Sequence, residues 1–317
     1  MDIVACTDKW FVMPTGVMMY SVCVNNPDVD IVFHVIHDES ITEKDKHDLE
    51  QTVTAFHGKQ IVFYMVNVEM FAAFPNLQNR HDITQASYYR LMLSEILPES
   101  IEKVLYLDGD IIVRGSILPL WETDIADYAV AAVRDPIERN IEFYTRLRYP
   151  SDKGYFNAGV LLVNLHYWRD HNLAVEFNEF LRTRACDIVY HDQDVLNAKF
   201  YGSKVNLPLK YNFTSGLLYS DPRYHYWRSD HEWTEALQDC VVLHFFNEKP
   251  WSIYQRNHHP FSNTWYKYQD QTIWKGLKFD KRSRKMKIIN FVADTLRKWK
   301  LKSQITDYCF IDIAPID

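Results

Sequence analysis

Nowhere does the 317-residue chain run for the roughly 20 uncharged apolar residues that a helical bilayer crossing needs, although apolar side chains make up 47% of it. The expectation is a soluble globular protein. The opening stretch Met1-Asp2-Ile3-Val4-Ala5-Cys6 lacks the basic, apolar, small-residue succession of a secretory signal, which points to the cytoplasm. Cysteines are few and scattered. Cys6, Cys23, Cys186, Cys240 and Cys309 are odd in number and lack metal-ligand spacing, so reduced thiols fit better than a disulfide framework. No internal repeat or low-complexity segment interrupts the chain. A net charge of −7 gives no general affinity for nucleic acid, and no such partner is expected.

The length suffices for one large core, or for a core with a smaller appendage. Aromatic residues reach 15%, with 20 Tyr; core packing is their common use, and exposed faces stack on sugars or bases. The most informative stretch is Lys103-Val-Leu-Tyr-Leu-Asp108-Gly-Asp110-Ile-Ile-Val113. It reads as a buried strand that ends in two carboxylates separated by one residue. Two such groups repel and lose hydration at the edge of a core, so they need a cation, a proton or water to balance them. A divalent metal with hard oxygen ligands, magnesium or manganese, does this best. The alternative is an Asp-Gly-Asp turn with both carboxylates in water.

Strands are expected at Asp2 to Cys6, Asp30 to Ile36 and Ile61 to Val66, with helices from about Phe11 to Asn25 and from Thr42 to Phe56. This alternation predicts an α/β fold, a mainly parallel sheet flanked by helices, with ligands at the carboxyl ends of the strands. Thr7-Asp8 and Asp108-Gly109-Asp110 both fall at such ends. Further on, a helix from Ser87 to Leu97 carries Arg90, Leu118-Pro-Leu-Trp121 reads as a loop, and Tyr128 to Val133 as a strand ending in Arg134-Asp135. The segment from Ile137 to Lys153 reads as a loop that serves as a lid or substrate contact. In Tyr155-Phe-Asn157-Ala158-Gly159 an amide is followed by small residues where backbone and ligand can approach closely, before a buried strand to Leu165. A helix from His166 to Arg184 leads to Asp192-Gln193-Asp194, which reads either as site residues or as a helix cap with favourable first-turn charge. Val241 to His244 is a last short strand, and Lys249 beyond it suits a phosphate as a point charge.

From Lys275 the composition turns basic. Ile288, Phe291, Val292, Leu296 and Trp299 fall on one helical face, and Lys298, Lys300 and Lys302 add charge at its end. The chain therefore divides into a catalytic unit over 1–274 and a basic amphipathic tail over 275–317, which suits either an anionic membrane surface or docking on the domain.

Asp2-Ile-Val leading to Asp8, Ser87-Tyr-Tyr-Arg90, Val104-Leu-Tyr-Leu-Asp108-x-Asp110, Phe156-Asn157-Ala-Gly-Val-Leu-Leu-Val-Asn-Leu165, Asp192-Gln193-Asp194-x-Leu-Asn197 and His244 with Lys249-Pro-Trp251 occur in one order. Together they make residues 1 to 251 resemble the retaining glycosyltransferases of family eight, nearest to the bacterial lipopolysaccharide α-galactosyl- and glucosyltransferase type. The resemblance implies a GT-A fold and a UDP-hexose donor, transferred to a saccharide or glycolipid acceptor. It implies that Asp108, Asp110 and His244 hold manganese, with magnesium as the alternative. Cys6, Thr7, Asp8 and Phe11 would meet the uridine, Phe11 standing where the family has a tyrosine. Gly109, Asn247 and Lys249 would lie along the diphosphate. Arg90, Asp135, Asn157, Ala158, Asp192 and Gln193 would surround the sugar, the last two as catalytic residues. Where the family places a glycine between the metal histidine and the lysine, Asn247 stands, and the segment is one residue shorter. The resemblance also implies peripheral attachment to the inner face of the membrane through the tail. Two rival readings are a haloacid-dehalogenase-type phosphatase, from Asp108-x-Asp110 after an apolar strand, and a non-catalytic sugar-nucleotide or glycan-binding protein.

Overall fold

The first strand, β1 (Asp2–Thr7), shows how the core is divided: Ile3 and Ala5 join one apolar cluster, Val4 and Cys6 another. Successive side chains on a strand point to opposite faces, so a strand covered on both sides is apolar throughout. The computed structural model describes residues 1–67, 71, 85–218, 231–246, 249–252, 259–278, 288, 291–292, 295–296 and 299. After β1 come α1 (Val12–Asn25), β2 (Ile31–His37), α2 (Glu43–Thr54) and β3 (Lys59–Met65). A 3-10 segment over Gln85–Met92 runs into α3 (Leu93–Ile96), followed by β4 (Lys103–Leu107), β5 (Ile111–Val113), α4 (Leu118–Trp121) and β6 (Val130–Arg134). Then come α5 (Ile141–Leu147), β7 (Phe156–Asn164), α6 (Leu165–Asp170), α7 (Leu173–Arg184), α8 (His191–Phe200), β8 (Lys204–Asn206) and β9 (Phe213–Thr214). Last are α9 (His231–Gln238), β10 (Val242–His244) and α10 (Ser262–Gln269).

Seven strands form one sheet in the order β3-β2-β1-β4-β7-β6-β8. Only β7 runs against its neighbours; the other six are parallel, as the strand and helix alternation predicts. All nine residues of β7 are buried, and each Leu or Val so removed from water contributes about 1.5–3 kcal/mol. The chain leaves β3 at one edge and re-enters at β4 beside β1. The strand order therefore reverses there, opening a crevice at the carboxyl ends of β1 and β4.

A second sheet, β5-β10-β9, lies apart from the first and has no counterpart in the sequence reading. The strand from Lys103 stops at Leu107, just before the acidic pair, as expected, but Ile111–Val113 belongs to the small sheet. Other boundaries differ too. The helix expected from Ser87 to Leu97 is a 3-10 segment with only α3 at its end. The one expected from His166 to Arg184 breaks at His171-Asn172, where Asn172 takes a left-handed φ of 51°. The supposed loop from Ile137 to Lys153 contains α5, and Leu118 to Trp121 is the short helix α4 with Pro119 in its first turn.

α2 is fixed at its start by a reciprocal cap between Thr42 and Asp45. α1 is buried almost throughout and lies so close to the C-terminal part that a Cβ on Gly16 would stand 2.1 Å from the Trp274 ring. The Gln269 amide donates to the carbonyls of Trp274 and Leu277, so the body is hydrogen-bonded as far as Leu277. Most of the tail beyond it, residues 279–287 and 300–317 included, falls outside the described residues.

Candidate active site

An acidic pair and a histidine distant from it in sequence, His244, meet because the two sheets are stitched together at Asp108-Gly109-Asp110. The Asp108 amide donates to the Gly159 carbonyl of β7 at 2.9 Å, ending the chain's course along the large sheet. Two residues on, the Asp110 carbonyl accepts the Phe245 amide at 2.9 Å, and β5 pairs antiparallel with β10 so that Ile111 faces His244. The register leaves the His244 Nε2 atom 3.2 Å from Asp110 Oδ1 and 4.0 Å from Asp108 Oδ2. One ligand atom from each of the three lies within 4.8 Å of the others.

A glycine is required beside them. A Cβ at Gly159 would stand 2.3 Å from the His244 ring and 3.0 Å from Asp108 Oδ2, filling the space where the three side chains converge. Two carboxylates and an imidazole suit a divalent cation in that space. Burial works against the ionised form of Asp110, yet the Lys249 ammonium beside it holds its carboxyl well below the usual carboxylate range. Asp108 is gripped from the other side, by Arg90 at 2.7 Å and by the Tyr106 hydroxyl at 2.7 Å.

Arg90 is buried and links the acidic pair to the next group. Its guanidinium also lies 3.0 Å from Asp192 Oδ2, donates to the Ala158 carbonyl at 2.5 Å, and stacks over the Tyr106 ring at 4.3 Å. Asp192 is itself buried, which pushes its carboxyl up to about 7 despite the Arg90 charge beside it. A buried amide network continues from there. Gln193 accepts the Ala158 N–H at 3.0 Å and donates to Asp135 Oδ2 at 3.0 Å. The same oxygen accepts the Asn157 amide at 3.1 Å; Asn157 Oδ1 in turn accepts the Gly159 N–H at 3.0 Å and the Asn212 amide at 2.8 Å. Asn212 Oδ1 closes the chain on His244 Nδ1 at 3.0 Å.

These groups line one cleft, open to solvent, at the reversal of strand order. Cys6, Thr7, Asp8, Phe11, Arg90, Gly109, Asp135, Asn157, Ala158, Asp192, Gln193 and Lys249 all line it. Asp8 Oδ1 accepts the Trp10 and Phe11 amides at 2.8 and 3.2 Å and so fixes the turn that presents Phe11. The Phe11 ring meets Trp251 edge-on at 6.3 Å. Lys249 donates to Asp110 and to the Phe245 carbonyl. Asn247 lies outside the described residues.

Asp194 behaves differently from its neighbours in the triplet. It is fully buried and turns away into Arg146, Tyr155 and the Val189 and Tyr190 amides. It lies in the first turn of α8 and holds the backbone that enters that helix, while Asp192, which the cap reading made the cap, faces the cleft with Gln193. Sequence reasoning missed Tyr106 and Asn212. The first stands inside the quoted strand motif; the second is marked only by being an amide amid Tyr211, Phe213 and a buried strand.

The family model described as Glycosyl transferase family 8 matches residues 2–254. General stress protein A of Bacillus subtilis (strain 168) is 29% identical over 279 residues, 86% of this chain and 94% of that protein. Lipopolysaccharide 1,3-galactosyltransferase of Salmonella typhimurium is 31% identical over 219 residues, 65% of this chain and 63% of that protein. Among solved structures, the galactosyltransferase LgtC in complex with donor and acceptor sugar analogs superposes with a TM-score of 0.74 at 31% identity. It covers 86% of this chain and 96% of its own.

Proposed function

The chain belongs to glycosyl transferase family 8, and from that premise we propose that it moves galactose or glucose from a UDP-sugar to a hydroxyl of a saccharide or glycolipid acceptor, with retention at the anomeric carbon. The observation that carries this reading is the convergence of Asp108, Asp110 and His244 at the switch point of the large sheet. Family membership removes the phosphatase alternative, whose nucleophile would be Asp108, a carboxylate already bound by Arg90 and Tyr106.

In this reading Asp108, Asp110 and His244 would hold Mn2+, with Mg2+ as the alternative, and such an ion would supply positive charge where the diphosphate leaves. Lys249, on the same side, meets a phosphate oxygen as a second cation. Cys6, Thr7, Asp8 and Phe11 receive the uridine. Arg90 and the amides of Asn157 and Gln193 orient the sugar, and Asp135 holds both amides in place. A neutral amide is a poor nucleophile, so the acceptor hydroxyl attacks from the face that the diphosphate leaves. The anomeric C–O bond to phosphate breaks, the new C–O bond forms, and the hydroxyl proton passes to the departing phosphate oxygen. Gln193 and Asp192 face the oxocarbenium-like sugar and stabilise it.

The name of the Salmonella relative supports an acceptor in lipopolysaccharide or another cell-surface glycan. The same reading places the enzyme in the cytoplasm, attached to the inner face of the membrane by the unit from 275 to 317. Among the described residues no helix is long and apolar enough to cross a membrane. Ile288, Phe291, Val292 and Trp299 are 59%, 74%, 50% and 70% exposed, an apolar face left in solvent as an interfacial helix requires.

The test is Mn2+-dependent hydrolysis and transfer with UDP-galactose, UDP-glucose and UDP-N-acetylglucosamine. Turnover of one hexose donor, abolished in Asp110→Asn, is the expected result. Tight UDP-sugar binding without turnover across a broad acceptor panel would replace it with the binding-protein reading.

A further inference from the structure

The amide network fixes more than the sugar side of the cleft. Its orientation can be derived from the two backbone N–H groups in it, because a backbone N–H only donates. Gly159 N–H points at Asn157 from 3.0 Å, so the atom it meets is the Asn157 oxygen, and the Asn157 nitrogen faces the Asp135 carboxylate at 3.1 Å. Ala158 N–H likewise pins the Gln193 oxygen, which leaves the Gln193 nitrogen for Asp135. Asn212 approaches the pinned Asn157 oxygen to 2.8 Å and must present its nitrogen there. Its own oxygen therefore faces His244 Nδ1 at 3.0 Å. Turning Asn212 over would set two buried oxygens against each other, since Asn212 is 1% and Asn157 4% exposed.

We infer that Asn212 is a positioning residue for the cation site: by accepting from Nδ1–H it holds the neutral His244 ring in the tautomer whose Nε2 lone pair points at Asp108 and Asp110. Without that acceptor the ring would be better satisfied the other way round, with Nε2–H donating to Asp110 Oδ1 at 3.2 Å and no lone pair left for a metal. Partners that fix the tautomer of a ligating histidine are worth about 10–100-fold in metal affinity. The assignment rests on the metal reading for its effect on affinity, and on geometry alone for the tautomer.

The two parts are measured separately on the full chain. Long-range 1H–15N spectra of the histidine rings at pH 8, without metal, should show neutral His244 protonated on Nδ1 in the wild type and on Nε2 in Asn212→Leu. Mn2+ binding followed by electron paramagnetic resonance should weaken about 10–100-fold in Asn212→Leu. Asn212→Asp, protonated on the oxygen that meets Asn157 Oδ1 and accepting from Nδ1–H with the other, should retain the wild-type tautomer and bind Mn2+ more tightly than the leucine variant. An Nε2–H ring in the wild type overturns the assignment with no variant needed. Unchanged Mn2+ affinity in a folded Asn212→Leu also overturns it. Failure of the wild type to bind Mn2+, with the ring nevertheless protonated on Nδ1, overturns the metal reading and the affinity claim while the tautomer stands.

Discussion

Asp192 is the side chain whose charge this fold tolerates least. Burial raises its carboxyl to about 7, so its folded value lies above its unfolded one. The stability contributed by the neutral form is full below the ordinary carboxylate range and is lost as pH rises to and through about 7. Asp192→Asn, which is neutral at every pH, should melt close to the wild type near pH 4 and above it at pH 8, by ~2 °C or more in calorimetry. Transfer activity should fall in the same variant. In the proposed reading Gln193 faces the sugar and not the nucleotide, and Gln193→Ala tests that assignment. The substitution should lower kcat by about 10-fold or more with little change in UDP affinity, read by steady-state kinetics and calorimetric titration. The acidic pair, Asn157 and His244 were legible because polar residues at the ends of apolar strands need a reason to be there, whereas Asp192 opens a helix and stood out only through the family resemblance. Asn212 and Tyr106 were not: a single amide or phenol within a buried run has no pattern, and its partner is set only when β9 lies beside β10.

Secondary elements were legible where they are long and doubly covered. β1, β4 and β7 announce themselves as apolar runs, whereas β5, β9 and β10 have three, two and three residues, too few for a strand period to register. The break after α6 has no proline or glycine to signal it; an asparagine takes the left-handed turn instead. The start of α8, which carries Asp192 and Gln193 into the cleft, depends on the pair between Arg146 of α5 and Asp194, at 2.7 and 3.0 Å. Arg146→Met leaves a buried carboxylate without its cation and should cost about 3 kcal/mol in urea unfolding. The Tyr155 hydroxyl and two backbone amides still solvate Asp194, which keeps the loss at the lower end of the range for such pairs. A loss under 0.5 kcal/mol would mean that these three donors alone suffice.

Over the whole molecule, the parallel sheet with its cleft at the strand ends could be read from the order of apolar runs, while the presence of a second sheet could not. The tail also takes its meaning at this scale. Because hydrogen bonds from Gln269 secure the body to Leu277, a chain ending at Lys278 keeps every described contact of the cleft. That truncation should no longer sediment with vesicles containing anionic lipid, yet should transfer to a soluble acceptor at a rate within about two-fold of the full chain. Equal sedimentation of the two proteins would assign the exposed face of Ile288, Phe291, Val292 and Trp299 to another role.

Asp108 leaves the larger sheet and His244 ends a strand of the smaller one, so any ion gripped by both rivets two halves that otherwise share a seam. Occupancy of that rivet then resists their parting as well as serving the reaction, and the protein's heat tolerance becomes a gauge of how well it is loaded.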